Sequence, residues 1–168
     1  LSGVNFYNSD LSGQDFTNNI KFFATKFDNA DLSNANFEGT DLFIDEVFTT
    51  VFENKSHLKI LSNVEIVRDI FGENRQVLIF STEVRGNDLV VEYIMFNSFK
   101  NANLENTNFK NTDLKFTNFD QADLTNADMS GADLRNAFLA DADLTNANLD
   151  GAILDGAVLS CKNHSICN

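Results

Sequence analysis

From Phe99 to Leu159 a large apolar residue stands at every fifth position: Phe99, Leu104, Phe109, Leu114, Phe119, Leu124, Met129, Leu134, Leu139, Leu144, Leu149, Leu154 and Leu159. Two places before most of them sits a small residue, from Ala102 and Thr107 through Ala132 to Ala157. No single regular element can bury this series on one side. Strand side chains alternate, so members five apart face opposite ways. On a helix, five steps of about 100° leave successive members roughly 140° apart. The series shares one interior only if the chain turns a corner every five residues. That is a solenoid, whose units bury their apolar sides against their neighbours.

The residues between support the corner. Two places after the apolar residue stand Asn106, Asn111, Asn126, Gly131, Asn136, Asn146, Gly151 and Gly156. Asn and Gly tolerate the positive φ that a type II turn requires at its third residue. Runs such as Ala122-Asp123-Leu124-Thr125-Asn126 and Ala132-Asp133-Leu134-Arg135-Asn136 resemble the pentapeptide repeat family, with its A(D/N)LXX motif. The resemblance covers about three quarters of the chain. It implies an all-β fold, a right-handed quadrilateral parallel β-helix with four repeats to a coil.

The same frame opens the chain at Leu1, Phe6, Leu11 and Phe16, slips by one residue, and continues through Phe22, Phe27, Leu32, Phe37, Leu42, Val47 and Phe52. Eleven units before a break and thirteen after it predict about six coils. This register stacks Phe16, Phe37, Phe99 and Phe119 on one side, and Phe52 between Leu32 and Leu114 on another. The predicted organisation is therefore repeat coils over 1–54 and 99–160, an insertion over 55–98, and a capping tail over 161–168, together a single domain.

Within the insertion, apolar residues at three- and four-residue steps from Leu58 to Phe71 predict a helix over about 56–71 ending at Gly72. Val77–Phe80 and Leu89–Ile94 read as strands joined through Arg85-Gly86-Asn87-Asp88, a hairpin. The insertion holds six acids and five bases, against two acidic repeat blocks.

Net charge is −13, from 25 acidic and 12 basic residues. Direct nucleic-acid binding needs a basic surface to neutralise phosphates, so the charge argues against it and favours a protein partner with a basic surface. No apolar run is long enough to insert in a membrane. Cys161 and Cys167 are the only cysteines, both in the tail. A disulfide there would staple the tail over the end of the solenoid and suits an oxidising compartment. Free thiols, or zinc with His164, are the other readings, although two sulfurs and one imidazole make a poor closed site. A first residue Leu1 without Met fits a trimmed secreted protein or a trimmed piece equally.

No catalytic constellation, metal site or cofactor motif is predicted. His57 and His164 are far apart in the repeat geometry. Asp113 with Asp133, and Asp123 with Asp143, should stack one coil apart as a solvated acidic face. Apolar residues at outward positions are more informative: Phe23 with Phe43, then Ile44, Phe48, Phe116, and the pair Phe138 and Val158. Exposed apolar patches mark contact surfaces: the simplest contact is the insertion lying on the solenoid, with Phe116 as its apolar seat, and a partner protein is the other reading. The candidate interaction surface is Arg85, Gly86, Asn87, Asp88, Phe43, Phe48 and Phe116. The expected role is a non-enzymatic scaffold or protein-interaction module in the periplasm, a thylakoid lumen or outside the cell, as a monomer or weak dimer. The alternative implied by the resemblance is a cytoplasmic, DNA-mimicking binder of a topoisomerase such as gyrase, of the quinolone-resistance type.

Overall fold

The computed structural model describes residues 4–18, 22, 24–42, 48–52, 64–66 and 76–167. The chain divides into two units, residues 1–44 with 96–168, and residues 45–95.

The first unit is a parallel β-helix built of short rungs. One ladder of bridges runs Asn5, Lys26, Ser98, Asn118, Phe138 and Val158; a second runs Asp10, Asp31, Asn103, Asp123, Asp143 and Lys162. A third links Asp15, Asn36, Asn108, Asp128 and Asn148, and a fourth links Asp41, Asp113, Asp133 and Ile153. Bridged residues from Ser98 to Val158 are twenty apart, whereas Asn5 and Lys26 are twenty-one apart. The extra residue is the slip between Phe16 and Phe22.

Each rung ends in a turn. Ala102 N donates to Phe99 O at 2.9 Å, and Asn101 between them has φ 55°. The same left-handed backbone recurs at Asn106, Asn111, Asn126, Asn136 and Asn146. Asn and Gly are the residues that enter it most cheaply, which is why the fourth letter after each Ala is so often one of them. The apolar residue of each rung points to the axis: Phe27, Leu32, Phe37, Phe99, Leu104, Phe109, Leu114, Phe119, Leu124 and Leu134 are fully buried. The Ala of each repeat lies inside with it, as at Ala122, Ala127, Ala132 and Ala142. Full burial of each such side chain contributes roughly 1.5–3 kcal/mol.

The aromatic rings stack in two columns. Phe6, Phe27, Phe99 and Phe119 lie parallel with centroids 5.3, 4.7 and 5.3 Å apart. Phe16, Phe37 and Phe109 follow at 4.5 and 5.1 Å. This corrects the predicted register, which set Phe37 beneath Phe99. Phe37 lies beneath Phe109, and Phe27 beneath Phe99, a shift of two repeats. Val47 and Phe52 fall on the period as those two repeats, but residues 48–52 form a strand of the second unit, and the last N-terminal rung among the described residues is that of Leu42, whose N donates to Asp113 O.

The second unit contains an antiparallel sheet of β1 (Phe48–Phe52), β2 (Val64–Ile66), β3 (Gln76–Arg85) and β4 (Asp88–Met95). Its order is β1-β4-β3-β2. The β3–β4 hairpin closes with Arg85 paired to Asp88, and Gly86 at φ 65° takes the first loop position. Gly there gives the mirror-image turn that suits strand twist. The helix predicted over 56–71 is corrected at Val64–Ile66, which pair with Leu78, Val77 and Gln76 of β3. Two β-branched residues flanking Glu65 fit a pleated edge, and pairing with β3 overrides the helical spacing. The remainder of that predicted helix lies outside the described residues.

Candidate functional site

The outward face of each rung is set by its Asp or Asn. These side chains are not idle: the Oδ1 of Asp10, Asp31, Asn103, Asp113, Asp123, Asp133 and Asn148 accepts the backbone N–H two residues on, at 3.0–3.2 Å. The carboxylate thereby replaces water as partner of a turn N–H, an Asx turn. Sequence reasoning read these acids only as a solvated face. Their regular place one residue before the apolar position was the available signal.

Bonding to the ionised form holds several carboxyls below their usual range. Asp128 is lowered by the Ser130 hydroxyl and N–H, and Asp143 by the Thr145 hydroxyl, then Asn163 and the Thr145 N–H. Asp133 is lowered mainly by the Arg135 guanidinium, 2.5 Å away. Asp113 pairs with Lys115 at 2.9 Å. At two rungs that lack Asp or Asn, a carboxylate from the coil below fills the gap. Ala140 follows Phe138 by two, and its N donates to Asp120 Oδ1 at 3.0 Å. The Ser98 hydroxyl and Lys100 N likewise donate to Asp28 Oδ1. Burial pushes the Asp120 carboxyl up, against the Ala140 N–H and the Lys100 charge that lower it.

Asn97 was not singled out in the sequence, although it stands two places before Phe99, at the inward position that Ala or Thr holds in the repeats that follow. It is buried where the chain re-enters the β-helix. Its Oδ1 accepts Thr25 N at 2.7 Å, and its Nδ2 donates to Phe22 O at 3.2 Å and to Leu42 O.

Of the predicted surface residues, Arg85, Gly86, Asn87 and Asp88 lie together at the hairpin turn, and Arg85 pairs with Glu83 at 2.7 Å. Arg85, Gly86 and Asn87 are exposed, and Val84 beside them is 55% exposed. Phe48 begins β1. Phe43, Phe23 and Ile44 lie outside the described residues. Phe116 occupies a turn with φ 57°, a backbone that aromatic residues seldom adopt. Phe138 and Val158 are bridged as an outward pair; the Phe138 ring stacks on Phe96 at 5.8 Å, while Val158 is exposed. Cys161 and Cys167 are joined in a disulfide, with Cα atoms 4.9 Å apart. Among the described residues no group of His, Cys, Asp and Glu is arranged to hold a metal ion, and no helix is long and apolar enough to cross a membrane.

No curated protein matched the sequence. Among solved structures, a pentapeptide repeat protein (Rfr23) from the cyanobacterium Cyanothece is 22% identical, with 96% of this chain and 87% of that one covered and a TM-score of 0.37. A pentapeptide repeat protein of the Arabidopsis thaliana thylakoid lumen is 19% identical, with 95% of this chain and 63% of that one covered and a TM-score of 0.34. QnrB1, a plasmid-mediated fluoroquinolone resistance protein, is 18% identical, with 96% and 84% covered and a TM-score of 0.21. At such scores the superpositions decide nothing, and the assignment rests on the repeats themselves. Eight copies of the pentapeptide repeats match residues 21–43, 98–131 and 122–160, just over half of the chain. With the bridges and turns described above, they show that this chain belongs to the pentapeptide repeat family, whose members form right-handed β-helices.

Proposed function

We propose that this protein is a non-enzymatic interaction module that works in an oxidising compartment outside the cytoplasm. The observation that carries the reading is how the polar side chains are employed. The repeat's Asp and Asn groups are committed to turn N–H groups, so their chemistry serves the scaffold and leaves an acidic surface on a chain of net charge −13. Such a surface suits a protein partner with a basic face. The Cys161–Cys167 disulfide supports the compartment. The β3–β4 hairpin, with Val84, Arg85, Gly86 and Asn87 exposed at its turn, is the contact point we assign to the second unit.

The test is affinity capture on the intact chain and on a chain with residues 45–95 replaced by a short linker. The proposal expects a discrete partner of basic isoelectric point, held by the intact chain, released by salt and lost with the hairpin unit. The acidic ladders also fit the DNA-mimic reading. Inhibition of gyrase supercoiling by the purified chain, with relief from a fluoroquinolone, would replace our reading with that one.

A further inference from the structure

We infer that residues 164–167 form a redox-operated lid over the C-terminal end of the β-helix core. The disulfide spans six residues and ties Cys167 back to Cys161, which lies in the core beside the Lys162 rung. Cys161 is buried in the core, and Ile166 and Cys167 are half-buried and pack against that core, as Leu149, Leu154 and Leu159 of the last coil also do. The start of the tail is held independently. Lys162 N donates to Ala142 O at 2.8 Å, Leu144 N to Lys162 O at 3.1 Å, and Asn163 Nδ2 to Asp143 Oδ1 at 3.0 Å. Beyond Asn163 the backbone bond is internal, from Cys167 N to His164 O. Residues 164–167 are therefore held by the disulfide and by the burial of Ile166 and Cys167, while the rung at Lys162 is part of the ladder.

Breaking the bond is then a local event. A dithiol attacks Cys167, the less buried of the two sulfurs, and forms a mixed disulfide while Cys161 leaves as its thiolate and takes a proton. The second thiol of the reductant closes its own disulfide and releases Cys167 as a thiol, so two electrons and two protons pass to the protein. With the loop open, the segment gains chain freedom that only the partial burial of Ile166 and Cys167 opposes. The apolar end at Leu149, Leu154 and Leu159 becomes accessible, and the coils below keep their bonds.

Hydrogen exchange at the 164–167 amides reads the lid directly, because the Lys162 rung before them is held by the ladder. The full chain is followed under native conditions before and after treatment with dithiothreitol, with exchange of that segment, an apolar fluorescent dye and far-ultraviolet circular dichroism recorded together. Reduction should speed exchange at residues 164–167 at least about tenfold and raise dye fluorescence, with the β signal unchanged, as expected of sub-global opening. The double variant Cys161→Ser/Cys167→Ser should behave like the reduced chain without reductant. Equal exchange and dye binding in both redox states would overturn the proposal, and so would loss of the β signal together with the disulfide.

Discussion

Phe27 and Phe99 stack face to face, with ring centroids 4.7 Å apart and planes 5° from parallel, although the residues between them include the whole second unit. The β-helix is thus one core assembled from two chain segments. Phe99→Ala and Phe27→Ala should each cost about 3–5 kcal/mol in urea unfolding. The double variant should cost less than the sum, because the rings share one contact. Strict additivity would mean that the two segments do not share this core.

The inward and outward positions of one rung differ in kind. Leu134→Ala should destabilise by about 2–5 kcal/mol through lost burial and a cavity. Asp133→Ala should cost about 1 kcal/mol, since it removes the acceptor of Arg135 N and an exposed ion pair. Chemical denaturation of the two variants orders them, and equal losses would contradict the assignment of facing.

Two glycines are separated by what lies over them. A Cβ on Gly131 would meet Asn111 Oδ1 at 2.4 Å, whereas one on Gly151 meets nothing within 4 Å. Both have positive φ, 66° and 71°, so the backbone strain of alanine is shared. Gly131→Ala should lower Tm more than Gly151→Ala, and adding Asn111→Ala should recover the difference. If Asn111→Ala gave no recovery, side-chain crowding would not be the reason for glycine here.

Asn97 closes the gap where the chain leaves and re-enters. Thr107 Oγ1 donates to Leu32 O and Thr112 Oγ1 to Phe37 O, each to the coil below. The next carbonyl in that series, Leu42 O, is taken by Asn97, and Thr117 Oγ1 is buried without a partner among the described residues. Asn97→Ala should therefore cost at least about 2 kcal/mol, because it removes the buried side-chain partner of Thr25 N, Phe22 O and Leu42 O. Thr117→Val should be neutral or stabilising while Thr112→Val destabilises. A thermal melt of the three variants checks the order.

The raised carboxyl of Asp120 sets a pH dependence of known sign. Its folded pKa lies above the ordinary value of 3.8, so the folded state binds the proton more readily and stability gains as pH falls towards 3.8. Asp120→Asn keeps an acceptor for Ala140 N and removes the desolvated charge. It should raise Tm at pH 7, and the gain should vanish below about pH 3.8. Asp128, Asp133 and Asp143 act in the opposite sense: their lowered pKa values lend stability above 3.8 that is lost as pH falls through the folded pKa.

How much of this was legible depended on which residues obey a local rule. The inward apolar residues, the Ala beside them, the Asn and Gly turns and the slip after Phe16 all follow from the five-residue period, because each rung must solve the same local problem. The register across the second unit did not follow. Val47 and Phe52 fall on the period by position, yet Phe48–Phe52 pairs antiparallel with β4, a partnership about forty residues away that no local pattern reveals. Val64–Ile66 failed for the same reason. Asn97 stands at the repeat's small inward position, two before Phe99, and only its larger amide there set it apart in the sequence; the three distant backbone groups it serves have no local signature. The turn role of the Asp ladder, by contrast, was available from Asx chemistry and was masked by its look of a solvated face.

The most direct test of the account is the register between the two repeat segments, measured by engineered disulfides. Rungs in adjacent coils lie about 4.8 Å apart, within disulfide reach. Asn36 is bridged to Asn108, whereas Ser98 is bridged to Lys26. In the Asn36→Cys/Asn108→Cys variant, mass spectrometry of the unreduced, folded protein should find the new cross-link in high yield beside the native Cys161–Cys167 bond. The Asn36→Cys/Ser98→Cys variant should stay unlinked. The reverse result, a cross-link from 36 to 98 and none from 36 to 108, would contradict the interlocked core described here.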